Sequence, residues 1–170
     1  MRKFLFTLTA MSLMSLLSHA SPLTVGAQAP DVTAPDQDGN PVRIADSYTK
    51  GLTLLYFYPK ADTPGCTAQA CSLRDSFADL KGKGLTIYGV SGDSPAAQKK
   101  FREKYSIPFT LLSDSSGEIA KAFGVPTVLG ISKRQSFLIK DGKIAWVATS
   151  AKTGQHAQEV QQAIERLSGH

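Results

Sequence analysis

Histidine and cysteine are scarce in this chain, and the few present rule out several chemistries. Beyond residue 20 the only histidines are His156 and His170, both near the C-terminus. There is no C-x-x-C and no H-x-x-x-H pair, so a zinc site has no ligand set, and neither a metal nor a cofactor is expected. Basic blocks are absent too. The formal charge of +5 is spread along the chain, which implies no nucleic-acid partner. After the first twenty residues no apolar run approaches the roughly 20 residues that a membrane span requires. Neither an internal repeat nor a low-complexity tract is present.

What the N-terminus does hold reads as an address. Arg2 and Lys3 precede a mostly apolar run from Phe4 to Leu17, and Ser18-His19-Ala20 supplies small residues at the positions a signal peptidase reads. We therefore expect residues 1–20 to be a signal peptide cleaved after Ala20, with a periplasmic or secreted product that has no membrane segment. The competing reading is a buried N-terminal helix or an uncleaved anchor. A twin-arginine pair and a lipidation cysteine are both missing. Residues 21–170 are then one domain, large enough to bury a core without staples.

Along that domain, Asp38-Gly39-Asn40 marks a turn between two short strand candidates, Val32-Thr33 and Val42-Arg43-Ile44. Leu52 to Tyr58 is a continuous apolar and aromatic run, as in a strand buried on both faces, and Pro59 ends it. From Gly65 to Leu80, Ala70, Leu73, Phe77 and Leu80 recur at spacings of three and four, which predicts one helix. Strand, helix, strand and short helix follow over 85–90, 95–105, 109–112 and 118–123. Asp141-Gly142 then joins strands 136–139 and 143–147, and a helix over 155–167 closes the chain. The alternation predicts an α/β class with a central mixed sheet flanked by helices after an N-terminal β-hairpin. The closing hairpin and helix narrow it to a thioredoxin-like fold.

The two cysteines, Cys66 and Cys71, have four residues between them. Cys66 falls in the first turn of the predicted 65–80 helix, where free backbone N–H groups and the helix dipole stabilise a thiolate. Thr63 is placed to offer a hydroxyl near the sulfur. On an ideal helix Cys66 and Cys71 would have Cα atoms roughly 8.6 Å apart. A disulfide needs less than about 7 Å, so the pair can join only if the helix unwinds locally. A static staple would sacrifice a helix to close a very short loop. A two-step redox cycle fits better: one thiolate becomes a sulfenic acid, the second thiol condenses with it, and an outside dithiol resets both. With no histidine nearby in sequence, positive charge must come from arginine. Arg74 on the same helix reads as an ion-pair or surface residue, and Arg134 precedes a neighbouring strand.

The stretch YFYPKADTPGCTAQACSLRD resembles the active-site signature of the peroxiredoxins, in particular the bacterioferritin comigratory protein (Q-type) subfamily. The likeness continues through APDVTAPDQDGNPV, VSGDSPAAQKKFREKY and FLIKDGKIAW. It implies a thiol peroxidase acting on hydrogen peroxide and alkyl hydroperoxides, working as a monomer and reset by a thioredoxin-like dithiol reductant. By this resemblance Cys66 is the peroxidatic cysteine and Cys71 the resolving one. Thr63 binds the peroxide oxygen, Pro59 shields the pocket from bulk water, and Arg134 polarises the peroxide. Gln69 stands where many relatives carry Glu, and the export signal is unusual for the subfamily. Val125-Pro126-Thr127 resembles the cis-proline loop of thioredoxins. However, Gly142 follows Arg134, not Pro126, by the eight residues seen there, so Pro126 is read as a loop residue. The alternative function is an exported thiol–disulfide oxidoreductase acting on protein disulfides; the C-x-x-x-x-C spacing and Arg134 count against it.

Overall fold

A computed structural model describes residues 23–169. The expected signal peptide lies outside the described residues. The chain opens with a small hairpin, β1 (Thr33–Pro35) and β2 (Pro41–Arg43), followed by a 3₁₀ turn over Ile44–Ser47. Then come β3 (Leu52–Phe57), α1 (Pro64–Asp75), α2 (Phe77–Gly82), β4 (Leu85–Ser91), α3 (Pro95–Lys104), β5 (Thr110–Ser113) and α4 (Glu118–Ala122). A short hairpin, β6 (Thr127–Val128) and β7 (Ile131–Ser132), leads to β8 (Gln135–Lys140), β9 (Lys143–Ala148) and α5 (His156–Ser168). The central sheet has the order β5-β4-β3-β8-β9. Strands β3, β4 and β5 are parallel, whereas β8 and β9 run antiparallel to their neighbours.

The apolar run of β3 is explained by its place in the middle of that sheet. Successive side chains of a strand point to opposite faces. Leu54 and Tyr56 accordingly join a core with Ala70 and Leu73 of α1, Leu80 of α2, Phe101 of α3 and Val160 and Ile164 of α5. Leu55 and Phe57 face the other way, onto Ile119 and Ala120 of α4, Phe123, Ile44 and Tyr48. Each fully buried Leu or Phe side chain contributes roughly 1.5–3 kcal/mol. The β8–β9 turn places Asp141 at φ 51° and Gly142 at φ 74°. That pair of left-handed residues is what a two-residue type I′ turn requires, and it lets the hairpin follow the twist of the sheet.

Two expectations are corrected. The helix predicted over 65–80 is broken at Ser76 (φ −101°, ψ 7°), which separates α1 from α2. Leu73, Phe77 and Leu80 keep their spacing across the break, so apolar periodicity cannot register a single non-helical residue. The β6–β7 hairpin was not expected, because two-residue strands are too short to show alternation. Ile44, expected in the second strand, instead begins the 3₁₀ turn.

Candidate active site

The site lies where β3 ends and α1 begins. Thr63 is extended (φ −97°, ψ 152°) and Pro64 opens the helix, a position where its missing N–H costs nothing and its fixed φ is already helical. Cys66 therefore occupies the first turn, whose N–H groups have no intrahelical acceptor. Its side chain is only 2% exposed, in the same core as Tyr56, Tyr58 and Ala70.

Register brings the arginine to the sulfur. Gln135 pairs with Phe57 in the antiparallel β3–β8 ladder, so Arg134, one residue earlier, reaches the level of Tyr58 and the start of the α1 loop. Its Nη2 lies 3.5 Å from Cys66 Sγ, and its Nη1 donates to Gln69 Oε1. A Cβ on Gly65 would come within 3.3 Å of that guanidinium nitrogen, so the glycine leaves the arginine room. Gln69 is fully buried. Its amide oxygen orients Arg134 without adding the negative charge that a glutamate would bring.

The remaining expected residues are disposed as follows. Cys71 is half-buried on the same uninterrupted helix as Cys66, and both are free thiols. Thr63 adjoins the first turn, and its hydroxyl donates to the Lys60 carbonyl at 2.9 Å. Pro59 is half-buried directly after β3. Arg74 is turned away from the sulfur. It donates to the Tyr105 carbonyl at 2.8 Å and pairs with Asp75 at 2.8 Å, as an ion-pair residue would. Pro126 is an exposed loop residue, and there is no cis peptide bond among the described residues.

Several contributors were not foreseen. Asp93, just past the end of β4, accepts from the Ala61 N–H at 2.7 Å and from Ser91 Oγ at 2.8 Å. Asp62, left-handed at φ 58°, is held by Lys104 Nζ at 2.8 Å and Tyr105 Oη at 2.6 Å. Those partners keep its carboxyl below the usual carboxylate range. The loop from Pro59 to Thr63 is thus tethered to β4 and α3. His156 is wholly buried at the start of α5, with Nε2 3.1 Å from Ser136 Oγ and Nδ1 3.3 Å from Glu159 Oε2. Burial pushes its imidazole below the ordinary range, Glu159 opposes this, and Arg134 adds to it. The only signal for Asp93 was its position beyond the carboxyl end of a parallel strand, where α/β sheets gather functional groups. His156 gave no signal, because nothing in sequence ties it to residues 56–74.

Fold and site together define a thioredoxin-like protein with a buried cysteine at a helix N-terminus beside an arginine. The AhpC/TSA family model matches residues 25–147. The peroxiredoxin Bcp of Escherichia coli is 45% identical over 145 residues, covering 80% of this chain and 92% of that protein. The chloroplastic peroxiredoxin Q of Oryza sativa subsp. japonica is 43% identical over 126 residues, 72% of this chain and 57% of that one. The crystal structure of peroxidoxin BcpB from Mycobacterium tuberculosis superposes with a TM-score of 0.80 at 34% identity, covering 85% and 98% of the two chains. The chain belongs to the AhpC/TSA family, in its peroxiredoxin Bcp/Q branch. It is a thiol peroxidase.

Proposed function

We propose that Cys66 is the peroxidatic cysteine and Cys71 the resolving cysteine of an intramolecular cycle. The observation that carries this reading is the Arg134 guanidinium 3.5 Å from a buried Cys66 sulfur, with Cys71 free on the same helix. The Cys66 thiolate attacks the outer oxygen of a hydroperoxide. The O–O bond breaks, and Cys66 becomes a sulfenic acid as the alcohol, or water from hydrogen peroxide, leaves with a proton. Arg134 meets the negative charge that develops on the departing oxygen. Thr63 contributes its hydroxyl to the peroxide, and Pro59 limits access by water. The Cys71 thiol then displaces water from the sulfenic acid to form the disulfide. A thioredoxin-like dithiol protein reduces it through a mixed disulfide.

Stopped-flow mixing with one equivalent of hydrogen peroxide tests the two roles. Cys66→Ser should consume none, since the attacking atom is gone. Cys71→Ser should consume the first equivalent at the native rate and then stall as sulfenic acid. Failure of the Cys71 variant to consume that first equivalent would reverse or void the assignment.

We further infer that residues 1–20 are removed on export, that the mature enzyme is a monomer, and that it works in the periplasm or outside the cell. The charged start, apolar run and Ser18-His19-Ala20 support the first inference. The intact mass of the protein from an envelope fraction tests it: a chain beginning at Ser21 is expected, and a full-length chain in the cytosolic fraction would refute it.

A further inference from the structure

The Lys60–Ala61 peptide in the active-site loop is held from both sides. Its N–H, on Ala61, donates to Asp93 Oδ2 at 2.7 Å. Its carbonyl, on Lys60, accepts the Thr63 hydroxyl at 2.9 Å. No peptide bond among the described residues is cis, and in a trans peptide N–H and C=O point in opposite directions within one plane. A carboxylate on one side of that unit therefore sets the direction in which the carbonyl meets Thr63 on the other.

Asp93 is itself fixed in place. Ser91 Oγ, at the end of β4, donates to the same carboxylate oxygen at 2.8 Å. That hydroxyl accepts from Gln98 Nε2 at 2.8 Å, and the wholly buried Gln98 accepts the Tyr58 hydroxyl. The chain of bonds thus leaves the loop at Tyr58, passes through Gln98, Ser91 and Asp93, and returns at Ala61. Ser113 Oγ holds the Asp93 carbonyl as well, at 2.7 Å. Asp93 has no salt bridge among the described residues, whereas Asp62 in the same loop pairs with Lys104 at the surface. A half-buried carboxylate without a cation sets a negative charge beside a loop that leads to a thiolate, which like charge disfavours. Ion pairing gives no reason for it; the Ala61 N–H does.

We propose that Asp93 is a positioning residue for peroxide reduction, acting through the Lys60–Ala61 peptide to orient the Thr63 hydroxyl. The proposal rests on the roles assigned above to Cys66 and Thr63. Thr63 gives its one hydroxyl proton to the Lys60 carbonyl, so the lone pairs of its oxygen are left to accept from the O–H of a bound peroxide. The bond from the Ala61 N–H to a charged acceptor also polarises the peptide and strengthens its carbonyl as an acceptor. Without Asp93 the peptide plane can turn. The Thr63 proton then finds other acceptors, and the hydroxyl meets the substrate with the wrong polarity. The effect is one of alignment, with no contact between Asp93 and the reacting atoms.

The test is single-turnover oxidation of Cys66 by hydrogen peroxide, without reductant, read by rapid quench and mass spectrometry. Asp93→Ala should slow it roughly 10–10²-fold, the loss that a misaligned group causes. Asp93→Asn keeps an oxygen for the Ala61 N–H and should recover most of the rate. In a Thr63→Val background, already slow, Asp93→Ala should cost less than about twofold more, the coupling expected when one residue acts through the other. Ser91→Ala leaves the Asp93 charge but frees its carboxylate to turn. It should be several-fold slower, and it carries the same comparison if Asp93→Ala does not fold. A full Asp93→Ala penalty in the Thr63→Val background would overturn the proposal. So would an asparagine variant as slow as the alanine variant, or an alanine variant as fast as the native chain. A Thr63→Val rate equal to the native rate would instead sink the role of Thr63 on which the proposal depends.

Discussion

At the scale of single residues, the proposed chemistry rests on how Arg134 is held. Its two terminal nitrogens are divided between Cys66 Sγ at 3.5 Å and the buried amide oxygen of Gln69. A planar fork can serve two acceptors at fixed angles, and a lysine ammonium cannot reproduce that arrangement. Arg134→Ala should slow the first oxidation of Cys66 by roughly 10²–10³-fold, the loss expected when a donor to a developing oxyanion is removed. Arg134→Lys should recover only part of it. Stopped-flow rates with hydrogen peroxide check both, and an unchanged rate in the alanine variant would remove Arg134 from the reaction.

At the scale of elements, the proposed cycle gives α1 two incompatible tasks. Its first turn must be intact to hold Cys66 among the free N–H groups, yet the five-residue separation of Cys66 and Cys71 is too wide for a disulfide on a helix. Oxidation should therefore melt the start of α1, and amide exchange between Thr63 and Arg74 should become faster in the disulfide form than in the dithiol form. A staple within a preserved structure would slow exchange instead. Hydrogen-exchange mass spectrometry on the two forms decides between them. The Ala157 N–H, which donates to Ser72 Oγ at 3.1 Å, should lose protection with α1, because its acceptor lies in the segment that opens. The break at Ser76 leaves α2 outside this segment, with Leu80 still seated in the core.

At the scale of the whole molecule, His156 ties α5 to the sheet. Its ring is wholly buried, bonded to Ser136 of β8 and Glu159 of its own helix, and packed near Tyr56 of β3 at 6.1 Å between ring centroids. Because burial lowers its folded-state pKa below the ordinary value near 6.5, the unfolded chain binds the proton more readily. The stability that neutral His156 contributes is then fully present above about pH 6.5 and is lost as pH falls from there toward the folded-state pKa. Urea midpoints should fall between pH 7.5 and pH 5.5 in the native chain and fall less in His156→Gln. Equal pH dependence in the two proteins would mean that His156 is not the titrating group.

Local features of the chain were enough to define most elements and half of the site. The run LTLLYFY specifies a doubly buried strand, Asp141-Gly142 a tight hairpin, and Thr63-Pro64 a helix start with Cys66 in its first turn, because each depends on sterics or hydrogen bonding among near neighbours. The incompatibility of C-x-x-x-x-C with a helical disulfide likewise follows from helix geometry alone. What only tertiary structure decided is which distant groups meet Cys66 and its loop. Arg134 arrives through the register of β8 on β3, and Asp93 through the parallel pairing of β4 with β3. The residues in those contacts are 32 to 68 apart in sequence, and only burial of the two apolar faces of the sheet brings them together. A one-residue slip in the β3–β8 register would turn the inward side chains outward, so the same burial that stabilises the core also fixes where Arg134 stands.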